Sequence, residues 1–314
     1  MPLDSVRILD LDGSVCVQED LIRSYQPAVI DLRDLGPACR LWLDARHAAL
    51  LSSRLDPRAK NAVTLLGSGD FHHLSALLIE QFQQPLSVVV FDFHPDWNIL
   101  PPRLGCGSWV SYLLRKEHIK KVVLLGVSSG DLDGMALLTG NLQALREDRL
   151  EIYTYAHQPS RPVFRDVPGN CSCVVLRRPW YNTIYWQELL NKNREEFVRQ
   201  LVRRLPTQEV YVSIDKDCLT RAYALTNWEE GRLSLEDLSS MLTVMAQGAH
   251  IAGADIVGEY SPPRFDSALK GWCSRADHPK AYSARGLPAE TVRGVNEKTN
   301  RAILSILLRP PKKD

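Results

Sequence analysis

The stretch SVVVFDFHPDW, residues 87–97, decides the fold and indicates the chemistry. Its first half, Ser87–Phe91, is apolar and too short for a helix, which is typical of a strand buried under helices on both sides. Its second half carries Asp92, His94 and Asp96 at alternate positions. In an extended chain such residues share one face, so the three side chains can converge on one point. This pattern, directly after four apolar residues, favours metal ligation over a turn capped by aspartates.

Seven more apolar runs of this kind alternate with longer amphipathic segments. The runs are Arg7–Leu11, Val63–Leu66, Lys121–Val127, Leu150–Tyr155, Cys173–Leu176, Glu209–Ile214 and His250–Val257. The amphipathic segments include Trp186–Leu205, Leu235–Ala246 with Ser234 as its N-cap, and Ala289–Leu308. Such alternation predicts right-handed βαβ units and a mostly parallel sheet. We therefore expect a single α/β domain over residues 1–314, with a sheet of about eight strands.

The composition excludes several classes of protein. The 314 residues carry 38 Lys+Arg against 37 Asp+Glu, so their charge gives no reason to expect binding to nucleic acid or membrane. The longest apolar runs are far shorter than the roughly 20 residues that span a bilayer. The first residues lack a cationic-then-apolar pattern, and the seven cysteines are scattered. We therefore expect no secretory signal and a cytoplasmic protein with free thiols.

Polar residues that follow the other strands are the next candidates, because ligands of such sheets bind beyond the carboxyl ends of the strands. The run Val63–Leu66 is followed by two glycines, Asp70 and the pair His72-His73. Taken alone, this segment favours a glycine turn capped by Asp70, with two solvated histidines. It becomes a candidate site only together with its neighbours.

Two further strand ends carry carboxylates. Asp215 and Asp217 flank Lys216, which suits either metal ligation or a surface pair that the lysine neutralises. Glu259 follows the run His250–Val257, and a lone glutamate at a strand end is ordinarily solvated.

If the strands before them are neighbours, Asp92, Asp96, Asp215 and Asp217 lie close together, and metal ligation becomes the favoured interpretation. Two unit charges 4 Å apart repel by about 4 kcal/mol at an effective dielectric constant of 20, so four clustered carboxylates cost on the order of 20 kcal/mol. Two divalent cations remove this cost. Carboxylates with two imidazoles suit Mn²⁺ better than Zn²⁺. Two metals about 3.5–4 Å apart can also generate a hydroxide near neutral pH.

At this point the sequence resembles the ureohydrolases, a family that includes arginase, agmatinase and formiminoglutamase. Four segments carry the resemblance, in the family's order: Gly69-Asp70-Phe71-His72, Asp92-Phe93-His94-Pro95-Asp96, Ser213-Ile214-Asp215-Lys216-Asp217 and Gly258-Glu259-Tyr260-Ser261-Pro262. The second and third segments are fairly specific, and the other two support them. The resemblance spans about residues 60–265.

The resemblance implies a three-layer α/β/α fold and two Mn²⁺ ions per chain. Its implied metal ligands are His72, Asp92, His94, Asp96, Asp215 and Asp217. The resemblance further implies that a metal-bridging hydroxide attacks the amidine carbon, that Asp96 passes a proton to the leaving amine, and that Glu259 holds the substrate cation. Phe71 interrupts the family spacing, which leaves the choice between His72 and His73 open.

The segment after Asp217 departs from the family. Residues 218–228 lack its Leu-Asp-Pro and Pro-Gly-Thr-Gly sequences, and Asn227 and Trp228 in this segment are predicted to contact the substrate. The departure puts arginine and agmatine in doubt as substrates. The sequence therefore predicts hydrolysis of a linear C–N bond in a guanidino, formimino or related amidine compound, and leaves the compound open.

Other interpretations compete with this one. The Gly126–Gly130 segment resembles a nucleophile elbow, which would make Ser128 the nucleophile of a serine α/β-hydrolase with His250 or His278 as base. Asp10 and Asp12 resemble the first motif of haloacid-dehalogenase-type phosphatases. Deacetylase-like enzymes have a similar fold and use paired histidines, but they retain one metal. A catalytically degenerate ureohydrolase that serves as a binding scaffold is the alternative that is not an enzyme.

Residues 261–288 are rich in Pro, Gly, Ser and charge, and we expect a long functional loop there. Whether it closes over the site is open. The oligomeric state is also open, between a monomer and a homo-oligomer.

Overall fold

The computed structural model describes residues 3–56, 60–102, 104–162, 167–278, 284 and 286–308. Their strands are β1 (Ser5–Asp10), β2 (Ala28–Asp31), β3 (Ala62–Ser68), β4 (Leu86–Phe91), β5 (Ile119–Val127), β6 (Leu150–Thr154), β7 (Cys173–Arg177), β8 (Asn182–Glu188), β9 (Glu209–Asp215) and β10 (His250–Glu259). They form one ten-stranded sheet in the order β2-β1-β3-β10-β9-β4-β5-β6-β8-β7. Every neighbouring pair is parallel except β7 and β8.

Helices cover both faces of this sheet. The described helices are α1 (Glu19–Tyr25), α2 (Gly36–Cys39), α3 (Ala45–Arg54), α4 (Leu74–Ile79), α5 (Trp109–Leu113), α6 (Gly134–Thr139), α7 (Leu142–Arg146), α8 (Arg194–Arg204), α9 (Leu235–Gly248), α10 (Ala268–Asp277) and α11 (Ala289–Leu307). Ser234 caps α9 as predicted, because its hydroxyl accepts a hydrogen bond from the Asp237 amide at 3.0 Å.

Two apolar cores lie on opposite faces of the sheet. In β4, Val88 and Val90 belong to one core, whereas Val89 and Phe91 belong to the other. Successive residues of a strand point to opposite faces. Because both faces of the sheet are covered, all four side chains are fully buried. The predicted three-layer α/β/α fold with a mostly parallel sheet is thus confirmed.

The sheet contains two strands that the apolar runs did not predict. β2 is a short edge strand with three exposed residues among four, so it lacks an apolar run. β8 includes Trp186, at which the predicted helix Trp186–Leu205 began. The start of that prediction was wrong, since α8 begins at Arg194. The segment before α8 is rich in β-branched and aromatic residues, which favour a strand. This segment forms β8 and pairs with β7.

The segment 261–288 is less irregular than expected. It contains α10, whose Lys270 ammonium donates hydrogen bonds to the carbonyl oxygens of Ala38 and Trp42. This helix is therefore anchored to the chain around α2. Residues 279–283 and 285 lie outside the described residues.

Among the described helices, none combines the length and the apolar character that a membrane crossing needs. The longest of them, α11, has 19 residues and carries several charged side chains.

The sheet places the candidate site residues side by side. β9 and β4 are adjacent in the middle of the sheet, with Val90 opposite Ser213 and Phe91 opposite Ile214. Asp92 follows Phe91, and Asp215 follows Ile214, so both carboxylates emerge at the same edge.

A buried charge cluster lies toward the opposite edge, near the start of β5 and β6. The Lys121 ammonium donates to Glu151 Oε1 at 2.7 Å, and the Arg204 guanidinium donates to both carboxylate oxygens of Glu151 at 2.6 Å. Burial alone would raise the pKa of Glu151, but the hydrogen bonds from Arg204 and Lys121 outweigh it and lower this pKa to about 2. The ionised glutamate therefore stabilises the fold near neutral pH.

Replacing Glu151 with Gln is expected to lower the free energy of unfolding at neutral pH by about 3 kcal/mol, since each pKa unit corresponds to roughly 1.4 kcal/mol. The pKa of Glu151 is depressed in the folded state, so its stabilisation is complete above its ordinary value of 4.5 and is lost as the pH falls toward 2. Urea unfolding of both proteins between neutral pH and about pH 3 measures this difference. The exposed Glu195→Gln is the matched control. A difference that stays constant with pH contradicts the prediction.

Candidate metal centre and active site

His72 lies at the bottom of the site, after a single 3-10 turn at Gly69–Phe71 that follows β3. Its Nδ1 is 3.1 Å from Asp92 Oδ2 and 3.3 Å from Asp96 Oδ2. Its Nε2 contacts the Ser213 hydroxyl at 2.9 Å, and that hydroxyl donates to Asp255 at 2.7 Å. Because the serine proton goes to Asp255, Nε2 donates to the serine oxygen, which leaves Nδ1 as the ring atom that faces the carboxylates.

The neighbouring His73 does not line the described cavity at this site. It is fully buried, and burial lowers its pKa to about 3, so the ring stays neutral. Between the two histidines that the sequence left open, His72 is the one that reaches the aspartates.

His94 and Asp96 extend from the end of β4. His94 Nδ1 is 3.1 Å from Asp217 Oδ2 and 3.7 Å from Asp92 Oδ1. Asp96 adopts a positive φ of 46°, which is uncommon for a residue other than glycine. Its Oδ2 accepts a hydrogen bond from the Trp109 indole at 2.7 Å, which holds the carboxylate toward His72.

Asp215 and Asp217 come from β9 and the 3-10 turn after it. The Asp217 amide donates to Asp215 Oδ1 at 3.0 Å, and the Phe93 amide donates to Asp217 Oδ1 at 3.1 Å. Two glycines leave room for Asp215: a Cβ on Gly69 would lie 2.9 Å from its Oδ2, and a Cβ on Gly258 would lie 2.6 Å from its Oδ1. The glycines that follow β3 and lie in β10 thus allow the close approach of this carboxylate.

These side chains form two groups that could each hold a metal ion. One group is His72, Asp92 and Asp96, and the other is Asp92, His94 and Asp217. Within each group the potential ligand atoms lie within 4.8 Å of one another. Asp92 belongs to both groups, and Asp215 lies beside them with its Oδ2 3.6 Å from His72 Nδ1.

The pKa values of the aspartates reflect crowded negative charge. Burial and the Asp92 charge raise the pKa of Asp96 to about 7 and that of Asp217 to about 6. Burial and the Asp217 charge raise the pKa of Asp215 well above its ordinary value. Burial alone would raise the pKa of Asp92, but the nearby imidazoles of His72 and His94 outweigh burial and lower this pKa. Without cations, the cluster therefore retains protons near neutral pH.

A cavity of about 490 Å³ opens above the two groups. Besides the six side chains already described, its walls are formed by Gly69, Phe93, Pro95, Trp97, Asn98, Cys106, Gly107, Ser128, Ser129, Gly130, Asp131, Trp228 and Glu229. A cavity of this size can hold a small molecule directly over the two groups.

The structure does not bring two of the predicted substrate contacts into this cavity. The Glu259 carboxylate is buried against the Lys216 ammonium and accepts a hydrogen bond from Asn300 at 2.7 Å. Asn227 is fully buried and donates to the Ser261 carbonyl at 2.9 Å. Glu259 is committed to an internal cation, and Asn227 holds two loops together. Of the three predicted contacts, Trp228 lines the cavity.

The wall beside Trp228 depends on residues that the sequence did not single out for this role. The Trp228 indole donates to Asp70 Oδ1 at 3.1 Å, and its ring lies 4.4 Å from that of His278. His278 Nε2 contacts the same Asp70 oxygen at 2.8 Å, and the Arg40 guanidinium pairs with the other oxygen. Because these partners are far apart in the chain, no local pattern marks them.

Glu229 is the main site residue that sequence reasoning missed. Its Oε2 lies 3.3 Å from His94 Nε2, on the opposite side of the ring from the aspartates. The available signal was its position directly after Trp228 in the divergent segment.

The structure gives little support to the competing serine hydrolase. Ser128 lines the cavity, but its hydroxyl donates to the Gly126 carbonyl at 3.0 Å. His250 begins β10, at the opposite edge of the sheet, where it contacts Glu209. His278 contacts Asp70. Both histidines proposed as its base thus have other partners.

The structure likewise gives little support to the phosphatase interpretation. Asp10 lies 3.0 Å from the Arg33 guanidinium, and Asp12 accepts hydrogen bonds from Ser14 and Ser261. The two aspartates of that motif thus serve the loop structure around β1.

Replacing Gly69 with Ala is expected to lower the free energy of unfolding by about 1–3 kcal/mol, because the added Cβ would lie 2.9 Å from both Asp215 Oδ2 and the Trp228 ring. Chemical denaturation measures the change. Gly130→Ala is the control in the same cavity, since a Cβ there would meet nothing within 4 Å. Equal stability of the two variants would show that the approach of Asp215 is not limiting.

Sequence comparison relates part of this chain to a protein of Thermotoga maritima. No family model matches the sequence. A protein of Thermotoga maritima, described as uncharacterized, is 30% identical over 203 residues. The matched region is 65% of this chain, and the chain spans 60% of the length of that relative.

Comparison with solved structures is more informative about the fold. An arginase from Bacillus subtilis matches with a TM-score of 0.57 and 14% identity, over 98% of this chain and all of the other. A hypothetical agmatinase from Burkholderia thailandensis matches with a TM-score of 0.54 and 17% identity, over 97% and 85% of the two chains. A proclavaminate amidino hydrolase from Streptomyces clavuligerus matches with a TM-score of 0.52 and 14% identity, over 95% and 92%. The chain therefore has the fold of the arginases and related ureohydrolases.

Proposed function

We propose that this protein is a binuclear manganese hydrolase that cleaves a linear C–N bond of a guanidino, formimino or related amidine compound. The observation that carries the proposal is Asp92, which belongs to both groups of potential metal ligands at the bottom of one cavity. A carboxylate shared in this way is suited to bridging two cations. The arginase-like fold supports the same type of reaction.

The donor set fits two Mn²⁺ ions. Asp92, Asp96, Asp215 and Asp217 would offer four negative charges to two divalent cations, and His72 and His94 would add neutral nitrogen ligands. The buried Asp92 Oδ2 has no hydrogen-bond donor among the described residues, although His72 Nδ1 lies 3.1 Å away. Oxygen-rich ligation with imidazole and without thiolate suits Mn²⁺ better than a structural Zn²⁺.

The chain's own residues would divide the remaining work. When bound, two such cations lower the pKa of a water and stabilise negative charge that develops on the substrate. His72 would be held in its ligating tautomer by Ser213 and Asp255. Asp96, which the Trp109 indole orients at the cavity floor, would pass a proton to the leaving amine. Trp97 and Trp228 would shield the reacting bond from bulk water.

A catalytically degenerate binding scaffold is the second candidate. The observation that favours it is the buried pair between Lys216 and Glu259, because it removes a carboxylate that the resemblance assigned to the substrate cation. Such a protein would keep the fold and bind metal without turnover.

The proposal also covers the kind of ligand and the cellular compartment of the protein. Its ligand would be a small molecule, since the cavity is small and the net charge is close to zero. No disulfide joins the seven cysteines, all of which lie in described segments. This supports a reducing compartment such as the cytoplasm.

The purified protein, incubated with Mn²⁺ and dialysed, is expected to retain two Mn²⁺ per chain by elemental analysis. Asp92→Ala and Asp215→Ala should each abolish this binding, because each removes a carboxylate from the centre of the cluster. Asp131→Asn is the control, as Asp131 lines the same cavity outside both groups. One or no bound ion in the unaltered protein would argue against a binuclear centre.

The Mn²⁺-loaded protein is expected to release urea, ammonia or formamide from at least one compound in a panel of guanidino, formimino and amide compounds. Ser128→Ala should retain this activity, because the hydroxyl of Ser128 is not part of the proposed chemistry. Loss of activity in Ser128→Ala would instead support the serine hydrolase. Full metal binding with no turnover of any compound would support the scaffold.

A further inference from the structure

The cavity wall has a one-sided charge. Outside the six proposed metal ligands, its described lining includes two carboxylates, Glu229 and Asp131, and neither lysine nor arginine. Bound divalent cations would neutralise the four aspartates on the floor, so the wall would leave the cavity with net negative charge. A site with this charge favours a cationic ligand over a neutral one of the same shape.

Glu229 is the wall carboxylate that lies next to the proposed reaction centre. Its Oε2 is 3.3 Å from His94 Nε2, while His94 Nδ1 faces Asp217. The Oε2 atom is itself buried against His94, whereas the Glu229 side chain as a whole is 39% exposed, so a ligand would approach the carboxylate from its Oε1 side.

The backbone that carries Glu229 is held firmly by its neighbour. The Trp228 indole donates to the fully buried Asp70, and its ring lies 5.5 Å from that of His94. Trp228 also contributes an aromatic face to the cavity, and such a face attracts cations as well. Glu229 and Trp228 therefore form a rigid wall that suits a positive group.

The other candidate for this task is already neutralised. Lys216 is fully buried, and its ammonium is paired with Glu259, which is 3% exposed. Breaking such a pair to receive a substrate cation would leave a buried ammonium without its partner, at a large cost. Glu259 is thus unsuited to bind a substrate cation.

We propose that Glu229 is the specificity-determining residue of this site and selects a substrate whose reacting end is a planar cation, a guanidinium or amidinium. With Oε2 held against His94, Oε1 can accept a charge-assisted hydrogen bond from an N–H of such a group, which adds direction to the charge attraction. This inference rests on the proposed function for the identity of the reacting end. It assigns to Glu229 the task that the resemblance gave to Glu259.

The experiment compares two probes of nearly equal shape, methylguanidinium and the neutral methylurea. Their dissociation constants are measured by calorimetry on the Mn²⁺-loaded protein. The unaltered protein is expected to bind methylguanidinium at least about tenfold more tightly, which corresponds to about 1.4 kcal/mol. Glu229→Gln should bring the two constants within about threefold of each other while its Mn²⁺ content stays unchanged.

Two further variants complete the test. Glu230→Gln removes a charge from the adjacent exposed residue, which does not line the cavity, and should keep the full preference. Glu229→Asp keeps the charge and should keep most of the preference, which covers the case in which Glu229→Gln fails to fold.

Several results would overturn the inference. Equal binding of both probes by the unaltered protein, or binding of neither, does so without any variant. Retention of the preference in Glu229→Gln assigns selection to another group. Loss of Mn²⁺ from Glu229→Gln would make Glu229 a positioning residue for His94 instead. Charge-selective binding without hydrolysis of any compound would refute the proposed function and leave the role of Glu229 intact.

Discussion

Four buried aspartates and two histidines meet at one edge of a parallel sheet, and the rest of the site depends on this convergence. Mutual repulsion and burial raise the pKa of three of the aspartates, which is unfavourable for an empty site. The fold nevertheless forces them together, because β4 and β9 are neighbours whose polar residues begin at the same level. Glycines at positions 69 and 258 remove the side chains that would keep Asp215 away. The arrangement is physically reasonable when cations are bound between the carboxylates.

The charged side chains around this cluster differ from one another in the partners that they contact. Lys216 stands between two of the aspartates in sequence, yet its ammonium turns away from them and neutralises Glu259 in the interior. Arg40 similarly neutralises Asp70 behind the cavity wall, and His278 contacts the same carboxylate. The carboxylate of Glu229, by contrast, faces the cavity beside His94. Glu259 and Asp70 are thus paired away from the cavity, whereas Glu229 pairs with His94 at the cavity wall.

The same pairing connects a distant segment to the cavity. His278, just beyond α10, packs on Trp228 and contacts Asp70. Lys270 in α10 is bonded to carbonyl oxygens near α2. The described part of residues 261–288 therefore supports the cavity wall from behind. This support positions Trp228, and with it Glu229, at the mouth of the site.

The sequence by itself determined the local features. Short apolar runs predicted the central parallel strands, and carboxylates at alternate positions directly after β4 and β9 predicted the ligand groups, because strand periodicity and strand ends are encoded within a few residues. The edge strand β2 and the strand β8 were missed, since neither produces an apolar run. Only the tertiary structure showed that His72 rather than His73 lies beside the aspartates, that Glu259 and Asn227 do not line the cavity, and that Glu229 lies beside His94. These outcomes depend on contacts between residues twenty or more positions apart, where no local pattern records which side chains meet.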